Sequence, residues 1–255
     1  MNSHLASRRS RGFTLIELMV AVTIGLLLTL VVANLFLSSR ATYQTTDEMS
    51  RMQENIRYAY QLLTRSVHLS GFRSSPNTFA NTIFGAGNQA VTGTDGGGTT
   101  SDTFTVRYQG SGAGTGVAPD GSVVDCQGRE VDAGVTTRAT FSIAVGANGG
   151  NALFCDNGTG SLEVIPDVDN MQVLYGEDTN GDMVADRYVA AGSVANFDNV
   201  VTVRAALLFR TTNISAAAVR DTGTYNLNGT VIPAFNDTRI RRAVVLNLNL
   251  RNRTP

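Results

Sequence analysis

The chain has 255 residues, a formal net charge of −1, 42% hydrophobic and 16% charged residues, and no lysine. That balance belongs to a folded protein and gives no global attraction for nucleic acid. Without lysine a P-loop cannot grip nucleotide phosphates, so hydrolysis by that route is excluded and the runs Asp95–Gly98 and Gly110–Gly116 read as loops.

Residues 1–12 form a short leader carrying Arg8, Arg9 and Arg11 and no acid, so its removal would leave a charge of −4. Phe13–Leu37 follows, about 25 residues with a single charge, Glu17. At about 1.5 Å per residue this stretch makes a helix long enough to cross a hydrocarbon core of about 30 Å. A carboxylate inside such a span costs roughly 2.5–3.5 kcal/mol, so Glu17 demands a reason. A secretory signal peptide would have a shorter apolar region, about 7–15 residues, and would end in small residues. A plain anchor fits the length but leaves Glu17 unexplained. The three leader arginines predict a cytoplasmic N-terminus, with everything after Leu37 outside the membrane.

From Ser38 to Ser70 there is no proline or glycine, and Met49, Met52, Ile56, Ala59, Leu63 and Val67 fall at helical spacing. Gly71 supplies a stop. The expectation is one helix of about 55 residues, with residues 13–37 as its membrane half and 38–70 as an amphipathic half. Residues 71–255 form an extracytoplasmic head. After a polar connection over 72–102 the period changes to two: Phe104, Val106 and Tyr108, then Phe141, Ile143 and Val145. Short strands are expected at Leu162–Ile165 and Met171–Tyr175. The clearest carry Val201, Val203, Ala205, Leu207 and Phe209 on one face, and Val244, Leu246, Leu248 and Leu250 on one face. The fold class is α+β, a helix packed on an antiparallel sheet.

Several residues in the head carry chemistry. Cys126 and Cys155 are the two cysteines; in an extracytoplasmic domain such a pair forms a disulfide, the other reading being two buried thiols. Asp178, Asn180, Asp182 and Asp186 occupy positions 1, 3, 5 and 9 of a loop, with the Val184 carbonyl at 7, the oxygen spacing of a calcium loop. Met183 stands where an EF-hand needs glycine and Val189 where it needs an acid, and an Asp/Asn/Gly turn explains the same residues. Glu177 is a candidate extra ligand. Asp221-Thr222-Gly223 has the triplet of an aspartic protease without a second copy. Arg239, Arg241, Arg242, Arg251 and Arg253 cluster late in the chain, where the ordinary expectation is the exposed face of a last strand. Aromatic residues do not interleave with them as a strand-binding platform needs.

The order basic leader, Gly12-Phe13-Thr14-Leu15-Ile16-Glu17 and apolar helix resembles the cleavage and methylation signal of type IV prepilins. Ser38-Ser39-Arg40, Met52-Gln53-Glu54-Asn55, Leu69-Ser70-Gly71-Phe72-Arg73, the cysteine pair, the Tyr175–Asp182 run and the ending Leu250-Arg251-Asn252 resemble PilW-type minor pilins. The resemblance implies a type IV pilin fold and cleavage between Gly12 and Phe13 by a prepilin peptidase, with methylation of the new N-terminus. It implies that Glu17 meets the terminal amine of a neighbouring subunit. It further implies other minor pilins, the major pilin and the inner-membrane assembly platform as partners, passage from inner membrane to pilus, no catalysis and no required cofactor. A minor pseudopilin of a type II secretion system and a tip module binding DNA or surfaces are the alternatives.

Overall fold

The computed structural model describes residues 12–75, 83–84, 89–112, 118–214 and 219–252; the leader residues 1–11, Pro76 and Arg253 lie outside these. A 55-residue helix, α1, runs over Leu15–Leu69. It ends where Gly71 takes φ +77° and donates its N–H to the Arg107 carbonyl at 2.9 Å. A side chain there would press on the Asn252 carbonyl, its Cβ at 2.9 Å, so glycine is required by both backbone conformation and space.

The chain divides into two compact units, residues 1–46 and 47–255. In the first, every large apolar side chain from Phe13 to Leu37 is more than half exposed. The apolar run closes where the Arg40 guanidinium lies over the Phe36 ring, 4.4 Å from its centroid.

In the second unit the remainder of α1 buries Met52, Ala59, Leu63 and Val67 of the predicted stripe, together with Ser66, while Ile56 is half-buried and Met49 exposed. Against it lie two antiparallel sheets. The first is a meander of five strands in sequential order: β1 (Val91–Thr94), β2 (Thr103–Gln109), β3 (Thr136–Val145), β4 (Asn151–Asp156) and β5 (Ser161–Pro166). The second contains β6 (Val168–Glu177), β7 (Arg187–Val189), β8 (Val200–Arg210) and β11 (Arg241–Asn249), in the order β11-β8-β6-β7. Its register places Met171 opposite Leu207 and Leu207 opposite Val244, then Val173, Ala205 and Leu246, then Tyr175, Val203 and Leu248. Three apolar rows therefore face one core together with Phe104, Phe141, Leu153 and Ile165 of the first sheet and the helix stripe. Val145, predicted to share the inward pattern of β3, is exposed at that strand's end.

Strand β8 is buried on both faces. Its Ala206 and Leu208 point away from the main core and are covered by the hairpin of β9 (Tyr225–Leu227) and β10 (Thr230–Ile232), through Leu227 and Ile232. Asn228 and Gly229 make the two-residue turn, at φ 54° and 97°, and the Asn228 amide donates to the carbonyls of Gln172 and Arg204 at 2.9 Å each.

Candidate functional site

Gly12, Phe13 and Glu17 come together around the first turn of α1. Thr14 is the N-cap: its hydroxyl accepts the Glu17 N–H at 3.3 Å. In return the Glu17 carboxylate accepts the Thr14 N–H and hydroxyl, both at 3.0 Å. This reciprocal pair is a capping box, in which an acid at the third helical position satisfies a donor that the helix start leaves open. Phe13 is 88% exposed, so the Gly12–Phe13 peptide precedes the helix with no packing over it among the described residues. The Thr-x-x-Glu spacing is the sequence signal for this box, and it is masked when Glu17 is read only as an acid in a membrane span.

Asp178, Asn180, Asp182 and Asp186 lie in the loop between β6 and β7, and their oxygens already serve its backbone. The Asp178 carboxylate accepts N–H groups from Asn180, Gly181 and Met183 at 3.1, 2.6 and 2.8 Å. Burial pulls its pKa upward, but these donors outweigh it and hold the group below the usual carboxylate range. Asp186 is lowered by the Thr179 hydroxyl and N–H, both at 2.7 Å. Asp182 accepts the Val184 N–H at 2.8 Å. Glu177 is 2% exposed and is occupied by Arg187 at 2.8 Å and the Ala195 N–H at 3.0 Å. Among the described residues no group of three or more His, Cys, Asp or Glu side chains is arranged to hold a metal ion.

Cys126 and Cys155 are bonded, with Cα atoms 6.4 Å apart, tying the loop before β3 to the middle of the first sheet. Asp125 beside the bond accepts the Asn157 amide at 2.6 Å and the N–H groups of Gln127 and Arg129.

The arginine expectation needs correction at Arg241. Its side chain is 2% exposed and bonds three carboxylates, Asp169 at 2.7 Å, Asp221 at 3.1 Å and Asp237 at 2.6 Å, with the Phe235 ring 3.8 Å from the guanidinium carbon. Burial opposes its charge, yet the bonds from Asp237 and Asp169 hold the guanidinium more firmly protonated than usual. Arg210 sits alongside, 3.1 Å from Asp167 and 3.3 Å from Asp169. Asp221, the acid of the protease-like triplet, is thus an ion-pair partner that also accepts the Tyr225 hydroxyl at 3.0 Å. The cluster joins β6, β8 and β11 to the excursion carrying β9 and β10. Asp237 is four residues from Arg241, but Asp221 and Asp169 are 20 and 72 residues away, so no local pattern reveals the cluster.

With that geometry in place, the comparisons decide the family. The profile described as Type IV Pilus-assembly protein W matches residues 140–252, and the prokaryotic N-terminal methylation motif matches residues 7–33. These two matches support a PilW-type minor pilin. They support a role in type IV pilus assembly among pilus components generally, and the methylation motif with the apolar helix fits a membrane-anchored pilin. The PilW match runs from within β3 past the end of β11, the whole second sheet included, and the ion cluster around Arg241 lies inside it. Among solved structures, the Type IV-like pilin TTHA1219 from Thermus thermophilus aligns at 14% identity and a TM-score of 0.49, covering 80% of this chain and 98% of that one. No curated protein matches the chain.

Proposed function

We infer that this pilin is a non-catalytic subunit of a complex that initiates the fibre and remains at its tip. The observation that carries this reading is the unburied apolar surface from Phe13 to Leu37 with one acid at its start. Such a surface is satisfied by lipid before assembly and by other pilin helices afterwards. The leader is removed between Gly12 and Phe13 by a prepilin peptidase, Phe13 is methylated, and the N-terminus faces the cytoplasm with the head outside the inner membrane. Glu17 then pairs with the terminal amine of a neighbour, other minor pilins or the major pilin, on the assembly platform. In a low dielectric that pair is far stronger than in water and fixes the stagger between helices.

The test is surface pilus number in an in-frame deletion strain, with secreted exoproteins assayed alongside. Lost pili with normal secretion, restored by the wild-type gene and not by Glu17→Ala, support the reading. Normal pili with exoproteins trapped in the periplasm assign the chain to a type II secretion machine instead. Calcium on the oxygens of Asp178, Asn180, Asp182, Val184 and Asp186 is a second proposal, supported by their spacing. Heat of calcium binding that Asp182→Ala abolishes supports it, and no heat in either protein retires it.

A further inference from the structure

Two surfaces of the second unit are complementary to each other. One is a groove of about 580 Å³ where the end of α1 meets the residues after β11. Tyr60, Leu69 and Phe72 give it an apolar lining, and its charges are Arg65 and Arg251; burial and Arg251 push the pKa of His68, also in the lining, down toward the neutral imidazole. No acid lines it, and neither Arg65 nor Arg251 has an ion-pair partner among the described residues. Thr64, also in the lining, has a buried hydroxyl without a hydrogen-bond partner among the described residues.

The other surface is the loop between β6 and β7. Its tip presents Met183 and Val184, 49% and 62% exposed, between the exposed carboxylates of Asp182 and Asp186. Met183 adopts φ +66°, a conformation costly for a side chain of its size, held by the N–H it donates to Asp178. An acidic loop with an apolar tip is the inverse of a basic groove with an apolar lining. The sheet order β11-β8-β6-β7 puts loop and groove at opposite edges of one sheet.

We propose that the groove seats the Asp182–Asp186 loop tip of a second copy of this chain, Met183 and Val184 filling the apolar lining while Asp182 and Asp186 face Arg65 and Arg251. The contact joins two different patches, so it is heterologous, and the rotation it imposes sets whether copies close into a ring or add in an open series. The charges set orientation and partner choice, and the apolar tip holds the contact once formed. The proposal builds on the assembly reading above, but its test needs only purified protein, so the two can fail separately.

Full-length Gln61→Cys and Val184→Cys chains are mixed in non-ionic detergent micelles under mild oxidation, with a chelator present to keep the loop fully charged. The expected result is a mixed disulfide dimer well above the background from Gln61→Cys mixed with Val145→Cys, whose exposed site lies away from the loop. Adding Arg65→Glu and Arg251→Glu to the groove chain lowers the yield about tenfold, and Asp182→Arg in the loop chain recovers most of it. The neutral pair Arg65→Gln and Arg251→Gln, with thermal midpoints for all variants, separates lost contact from lost fold. A yield equal to background, or one indifferent to both charge changes in folded protein, overturns the proposal.

Discussion

The two halves of α1 share one backbone and opposite surroundings. From Leu15 to Leu37 its apolar side chains stand open, whereas Met52, Ala59, Leu63 and Val67 are buried against two sheets. Hydrophobicity alone does not separate them. The first half is apolar all round, and the second carries one stripe with Asp47, Glu48, Arg51 and Glu54 elsewhere on its surface. A helix apolar on every side needs a surrounding of lipid or other helices, while a striped helix is satisfied by one domain. Substitutions in the two halves should therefore report in different assays.

The sharpest contrast comes from the charged core of the second unit. Arg241→Leu leaves Asp221 without its cation and Asp169 and Asp237 with only Arg210 and Arg239, and should cost about 3–5 kcal/mol in urea unfolding. Cys126→Ser with Cys155→Ser opens a loop of 29-residue separation and should cost roughly 3–4 kcal/mol, read as a fall in thermal midpoint that reducing agent reproduces in the wild type. Leu63→Ala, at a fully buried site of the stripe, should cost roughly 3 kcal/mol. Acid should act through Asp237, whose carboxyl is held well below the usual range by the hydrogen bond from Arg241. A depressed folded pKa means its contribution is complete at neutral pH and is lost as pH falls below about 4, the unfolded range. Asp237→Asn should flatten stability against pH there. Leu27→Ala should shift unfolding of the second unit by no more than about 0.5 kcal/mol. A large effect from Leu27→Ala would break the contrast between the halves.

Elements written in a single period are legible in the amino-acid order. The unbroken stripe and Gly71 bound the helix, and alternation of Val, Leu and Phe with smaller or polar residues marks β6, β8 and β11. Strands β1, β9 and β10 are not legible in that way, because three or four residues cannot establish a period; for the last two the signal is the turn, Asn228-Gly229 between two short runs. The second burial face of β8 is hidden because Ala206 and Leu208 extend an apolar run whose cover, Leu227 and Ile232, comes later in the chain. Residue types and spacing locate Glu17 and the Asp178 loop, but their hydrogen-bond partners follow from backbone geometry. The cage around Arg241 needs Asp221 and Asp169, 20 and 72 residues away, and Arg210 beside it pairs with Asp167 across 43 residues, distances that alternation cannot encode.

The capping box at Thr14 and Glu17 bears on how a subunit waits. In lipid a bare carboxylate would be intolerable, yet this one rests on donors from its own helix start. The pairing with a neighbour's amine proposed above is then an exchange of partners: releasing the box gives up roughly 0.5–2 kcal/mol, set against a new charge pair. A subunit stored alone is quiet, and its acid changes hands only when an amine arrives within reach. Recruitment has a threshold written into four consecutive residues.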